Sequence, residues 1–289
     1  MLPAKTMCDI FLFCSLSKCA GGLRIVIQRQ VRKFIVIADK GFRQNFIYMA
    51  SHGVNTVASA IFGLIYISLW RSVVPPSGFS DYTPLKITQY IAFNQVILWF
   101  VQFGIRIHVR ISQAVRTGNI AGELCRPMDY FWYRIAQEAG VITYNLFFRG
   151  IPVGLLLAFF SFHIPRSPST WLWSLVALGL AGYIGLVLHY IVGITSFWAT
   201  EIRTAYWVVA NLSLGLGGAS MPLEVLPDTI ERIARLSPFA CLCYYPARIY
   251  LGLSGPDLIW YAVFWSVALT VLAQFLTAKA RARLEVQGG

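Results

Sequence analysis

The chain has 289 residues, 57% of them hydrophobic and only 12% charged, about half the roughly 25% charge of an ordinary soluble domain. Its 24 Lys and Arg against 12 Asp and Glu give a net charge of +12, but the basic residues fall between long apolar runs and do not line one polar face, which argues against a nucleic-acid binder. A crossing helix needs about 20 apolar residues, so the length holds about six crossings and no separate soluble domain, and collagen-like, disulfide-dense and long disordered chains are excluded.

Residues 1–21 read as an N-terminal tail. Residues 7–20 are mildly apolar, yet no signal-peptide cleavage site follows, and residues 22–289 read as a single transmembrane domain. Between Arg24 and Lys40, Ile27, Val31, Phe34, Ile35 and Ala38 recur at helical spacing, with Arg29, Arg32, Lys33 and Lys40 on a second stripe. This pattern predicts a basic amphipathic helix lying in the membrane interface near anionic headgroups or packed on the protein's own spans.

Apolar runs then predict spans at Phe46–Trp70, Ile87–Ile105, Gly140–Phe160, Trp171–Thr200, Tyr206–Ser220 and Leu258–Ala278. Seventeen Lys and Arg fall in the N-terminal segment, in Arg106–Glu138, at Arg203 and in the C-terminal tail, against six on the other side. The excess predicts that both termini are cytoplasmic, in a multi-pass protein of the cell's inner (plasma) membrane.

The segment Arg106–Glu138 is long for a connector. At its centre, Ile120 and Leu124 are four residues apart on a predicted short helix with Asn119 as N-cap, ended by Pro127. A two-turn helix outside the membrane is too small to be stable alone, so it is expected to dock on something. On the opposite side, Met221–Gly255 contains four prolines, and Asp228 with Glu231 resembles a capping box. Short helices dipping back into the outer leaflet are expected there. Cys241 and Cys243 are poorly spaced to pair, and neither a disulfide nor a metal site is predicted.

Arg149 sits in the middle of the third run, where a charge costs about 3 kcal/mol or more. Two readings remain open. Either the guanidinium meets an anionic group on a substrate, or the helix is shifted or broken at Pro152 so that Arg149 reaches carbonyls, water or headgroups. His52, Asn55, Asn94, Gln95, Gln102, Asn145, His189 and Asn211 are also embedded, and such side chains more often bridge helices than hold ligands. Asn94 and Asn211, with Arg149, are the candidates for a pathway. The sequence lacks G-x-x-x-x-G-K-[ST], H-E-x-x-H and G-x-S-x-G, so the chain is not expected to be an enzyme or to bind a cofactor of its own.

The stretch VRTGNIAGELCRPMDYFWYRIAQEAG (Val115–Gly140), the segment MPLEVLPDTIERIARLSPF (Met221–Phe239) and the terminal EVQGG, with the six-span layout, resemble the permease subunits of six-span ABC exporters of drugs, antibiotics, lipids and polysaccharides. The resemblance implies an all-α polytopic fold, with an N-terminal interfacial helix, a cytoplasmic coupling helix between spans two and three, and re-entrant outer helices between spans five and six. It implies that Arg116, Asn119, Ile120, Glu123, Leu124 and Arg126 meet a separate ATPase, with Ile120 and Leu124 as apolar anchors. It further implies two ATPase copies carrying ATP and Mg, and a second permease, identical or related, with a pathway lined by spans one, two and five. A stand-alone secondary transporter or channel is the alternative, but no repeat between the halves supports it.

Overall fold

In the computed structural model, residues 28–126, 128–159, 164–165, 167–199 and 201–287 are described, with side chains left aside at 47–52 and 284–287. The readings of residues 1–27 (the tail, Arg24 and Ile27), of Pro127, Phe160 and Thr200, of the His52 side chain and of most of EVQGG lie outside these.

The described residues are built from helices: α1 (28–44), α2 (Met49–Val73), α3 (Pro84–Val101), α4 (Ile107–Arg116), α5 (Ile120–Leu124), α6 (Tyr130–Asn145), α7 (Ile151–Ala158), α8 (Pro168–Ile194), α9 (Arg203–Gly215), α10 (Asp228–Leu236), α11 (Tyr244–Tyr250) and α12 (Ile259–Gln287). Four segments are long and apolar enough to cross a membrane: Gly53–Val73, Tyr130–Ala158, Pro168–Phe197 and Pro256–Arg283. Their outward faces are apolar. On α2, Val54, Val57, Ile61, Ile65 and Leu69 are exposed, and on α12 Trp260, Phe264, Val267, Val271 and Phe275. Both sets recur at helical spacing, an arrangement that water would penalise and lipid would not.

Cross-helix contacts fix the directions. Trp99 donates from its indole to Ser59 Oγ at 3.0 Å, and a Cβ on Gly63 would meet Gln95, so α2 and α3 are antiparallel. Asn145 Nδ2 donates to the Gly104 carbonyl and Gly150 lies against Val96, which sets α6–α7 against α3. Gly182 and Gly185 of α8 abut Phe100 and Val101, making α8 parallel to α3. The pairs Asn94–Gly218 and Gln102–Ala210 (3.0 and 3.1 Å) set α9 antiparallel to α3. Tyr183–Thr270 and Tyr190–Thr277 (both 2.6 Å), spaced seven residues apart on each helix, make α12 parallel to α8. The six long elements therefore alternate in direction.

Boundaries differ from the apolar runs. The third long helix begins at Tyr130, ten residues before Gly140, because Asp129 caps it by accepting from the Phe131 N–H at 3.1 Å. The second starts at Pro84, capped by Thr83, and ends at Val101. The fifth run gives only thirteen helical residues, about 20 Å. Three residues past the helix end, Gly218 adopts φ +70, the left-handed region that glycine tolerates, and offers its carbonyl to Tyr90 and Asn94. Asp228 is the first residue of α10, behind Pro227, and makes no capping bond, so the capping box is not formed.

The amphipathic helix α1 packs on the chain itself. A Cβ at Gly140 would fall 1.8 Å from the Ala38 carbonyl oxygen, and one at Gly41 2.2 Å from that of Gln137, so the two backbones cross through glycine. Phe42 and Phe46 then pack edge-on against Tyr144, while Val31, Ile35 and Val36 remain exposed.

Candidate functional site

The segment between α3 and α6 forms an L. Its root is α4, whose buried Ile107, His108, Ile111 and Ala114 pack on α8 where Gly193 admits His108. Burial first, then the charges of His189 and Arg106, pull the His108 imidazole from 6.5 down to about 3, so it is neutral near pH 7 and stacks on Tyr206 with ring centroids 4.4 Å apart. Gly118, at φ +74, turns the chain into α5.

The sequence placed six residues at this tip. Asn119 occupies the N-cap position of α5, but its side chain makes no capping bond; Asn119 is exposed. Ile120 turns inward at 2% exposure and joins the chain's own core, with Leu124 half-buried beside it. The apolar ridge thus seats α5 on its own bundle. Glu123 forms an ion pair with Arg134, whose side chain is 4% exposed, and Arg134 also donates from Nε to Tyr130 Oη at 3.1 Å. Arg126 donates to the Tyr133 hydroxyl and lies 4.5 Å from that ring's centroid. Arg116 faces Glu201 at 3.6 Å, both exposed, where the Arg203 N–H and then Arg116 hold the Glu201 carboxyl below its usual value. Just beyond the tip, Asp129 pairs with Arg281 of α12 at 3.0 Å. The outward surface left to the tip comprises Asn119, Ala121, Gly122 and Cys125.

Arg149 lies in a π-helical turn, Leu146–Gly150, between α6 and α7. Pro152 follows directly and lacks the N–H that an α-helical turn would direct at Phe148; the helix widens there and stays continuous, so it is not broken as one reading had it. The Arg149 guanidinium lies 4.6 Å from the Trp99 ring centroid and lines a cavity with Arg106 and Arg110. Asn94 is fully buried, bonded to Gly218, and Asn211 is exposed on α9 with its amide on the Trp207 carbonyl. These three residues do not converge: only Arg149 borders the cavity.

Sequence reasoning missed Glu138, Arg134 and an outer cluster. Glu138 is fully buried, accepts from the Arg106 N–H at 2.5 Å and lies 3.5 Å from Arg110. At the other end of the bundle, Arg248 binds Asp81 at 2.6 Å, Ser254 at 2.7 Å and Glu224, which also receives Tyr244 at 2.6 Å and Arg235 at 3.4 Å. Burial would lower the Arg248 guanidinium, yet the Asp81 hydrogen bond, with Tyr244, Tyr82 and Glu224, holds it above its ordinary value. The four-residue spacing of Arg134 and Glu138 after the cap Asp129 was the available signal for the inner pair; the outer cluster joins residues too distant in sequence to suggest one another.

Residues 56–288 match the family model described as ABC-2 family transporter protein. The chain belongs to the ABC-2 transporter family. Comparison with curated proteins finds no match. The chain is thus an ABC permease subunit: a membrane-embedded component of a transporter and not itself the ATPase, in a family whose membrane proteins work with ABC ATPases.

Proposed function

We propose that this permease is the transmembrane half of an ATP-driven exporter, with α2, α3, α6–α7, α8, α9 and α12 as six crossings of the plasma (inner) membrane and both termini in the cytoplasm. Four of these are long enough by themselves. For α3 and α9 the support is their alternating direction within the bundle and the excess of Lys and Arg at one end. Asn94 and Gln95 within α3 and Gln102 just past its end are polar, and all three are buried inside the bundle, where lipid does not meet them.

The segment from Arg116 to Arg126 then meets a separate ATPase, two copies of which bind ATP and Mg and serve a pair of permeases, identical or related. The observation that carries this reading is the Glu123–Arg134 ion pair, which ties the five-residue helix α5 by charge to the third long helix. When nucleotide draws the two ATPases together, α5 moves with them. Glu123 passes the movement to α6, and Arg116 passes it through Glu201 to the turn between α8 and α9. Cargo shifts the inward–outward equilibrium only by its differential affinity for the two states.

Because Glu123 and Ile120 hold α5 in place, the partner-facing residues to test are Ala121 and Gly122. Ala121→Arg with Gly122→Arg is expected to abolish co-purification with the ATPase while leaving the thermal unfolding of the purified permease unchanged. Undiminished co-purification would contradict the docking role.

A further inference from the structure

The cavity bordered by Arg106, Arg110 and Arg149 plays no part in coupling as described above. It opens where α3 passes into α4 and encloses about 500 Å³, with Asn55, Asn145 and Gln113 completing its polar wall. Three arginines border this space. Glu138, fully buried, lies 3.5 Å from Arg110 and accepts from the Arg106 backbone N–H. Three arginines against this one carboxylate leave an excess of positive charge in a cleft beside lipid-facing helices. Arginine suits phosphate-like anions better than lysine does, because its planar fork donates two parallel hydrogen bonds.

Phe103 forms a wall of this cavity and also of a second one, about 240 Å³, further along α3. That second space is mostly apolar, walled by Phe62, Tyr66, Leu98, Leu214 and Ala219, and lies between α2, α3 and the end of α9. A cationic compartment toward the α4 end and an apolar one toward the middle of the bundle share one aromatic partition. Together they match a molecule with a charged head and a hydrocarbon tail.

We infer that these paired compartments bind an anionic amphiphile, with a phosphate-class headgroup on Arg106, Arg110 and Arg149 and its chain along Phe62, Leu98 and Leu214. As cargo, this inference rests on the exporter reading and names the substrate class; the binding itself does not need the ATPase.

The test uses the purified full-length chain in a neutral detergent, titrated with three probes and read by tryptophan fluorescence, Trp99 lying on the cavity wall. The probes are dioctanoyl phosphatidic acid, dioctanoylglycerol with the same tails and no phosphate, and inorganic phosphate. Phosphatidic acid is expected to bind at least tenfold more tightly than either of the others. Arg106→Gln with Arg149→Gln should weaken it at least tenfold and leave dioctanoylglycerol unchanged. Leu214→Trp, which fills the apolar compartment, should weaken phosphatidic acid and leave phosphate unchanged. Thermal unfolding without ligand reports folding. Should the Arg149 variant fail to fold, Arg106→Gln alone, at an exposed side chain, is expected to weaken phosphatidic acid at least threefold. Equal affinity for phosphatidic acid and dioctanoylglycerol overturns the headgroup assignment. Equal affinity for phosphatidic acid and phosphate overturns the amphiphile assignment in favour of a free-anion site. A negative titration with intact ATPase co-purification sinks this inference alone; lost co-purification with intact binding sinks only the coupling reading.

Discussion

The two ends of this permease use ion pairs differently. At the Arg248 end, one guanidinium gathers Asp81, Glu224 and Ser254 from three separate loops, and Glu224 draws in Tyr244 and Arg235, so the charges are satisfied within the bundle. At the α5 end, Glu123–Arg134, Arg116–Glu201 and Asp129–Arg281 are separate pairs, each joining the tip to a different helix or turn. The first arrangement locks loops to one another. The second holds one side of a small element and leaves its other side, Ala121 and Gly122, open. In the proposed coupling, the closed end is fastened by one shared cluster and the moving end by separate pairs.

The sharpest way to break this contrast is Arg248→Met, which takes from the buried Glu224 its buried cation and leaves it Tyr244 and the half-exposed Arg235. It is expected to lower stability by about 3 to 5 kcal/mol, measured by thermal unfolding in detergent. Arg235→Met, at a more exposed member of the same cluster, should cost about 1 kcal/mol or less. Equal effects would mean that the cluster does not centre on Arg248.

Next in size, Glu123→Gln leaves Arg134 without its carboxylate and is expected to cost about 1 to 3 kcal/mol. It should also uncouple ATP hydrolysis from transport. Unchanged coupling in a folded Glu123→Gln protein would remove the lever from this pair.

Stability around α4 is expected to depend on pH. Because folding depresses His108 to about 3, the unfolded chain takes up the proton first. Stability is therefore intact above pH 6.5 and falls as pH drops from 6.5 towards 3, by at most about 1.4 kcal/mol per pH unit. Unfolding midpoints between pH 7 and pH 5 should decline less in His108→Gln than in the parent protein; identical slopes would assign the decline to other groups.

The smallest stability effect is expected for Arg116→Ala, since its pair with Glu201 is exposed. The unfolding midpoint should not move, whereas transport-coupled ATPase activity should drop severalfold. A shifted midpoint with normal coupling would reverse that assignment.

The helical membrane architecture was legible because lipid-facing positions need only be apolar, and runs such as Trp171–Thr200 record that directly. Helix ends were less legible. Tyr130 to Ala139 carries Arg134 and Glu138, which read as loop charges until Tyr130 Oη, Glu123, Arg106 and Arg110 are seen around them. The turn after α9 contains a left-handed glycine whose carbonyl is claimed by distant Tyr90 and Asn94. The tip at Ile120 and Leu124 was found by spacing, yet spacing does not tell which side an apolar ridge faces, and here it faces inward. Arg149 was visible as an anomaly. Its neighbours Arg106 and Arg110 were not, because they come from a different helix and meet it only through the break between α3 and α4.

The central claim is that α5 is the cytoplasmic contact with a separate motor. It is tested most directly by placing a cysteine at Gly122, with the six native cysteines, the exposed Cys125 among them, changed to serine, in membranes containing the permease and its ATPase. The account predicts that this thiol cross-links to the ATPase with a yield that changes when ATP is added, and that a membrane-impermeant maleimide reaches it only after cells are opened. Labelling of intact cells from outside, or a cross-link absent in every nucleotide state, would contradict it.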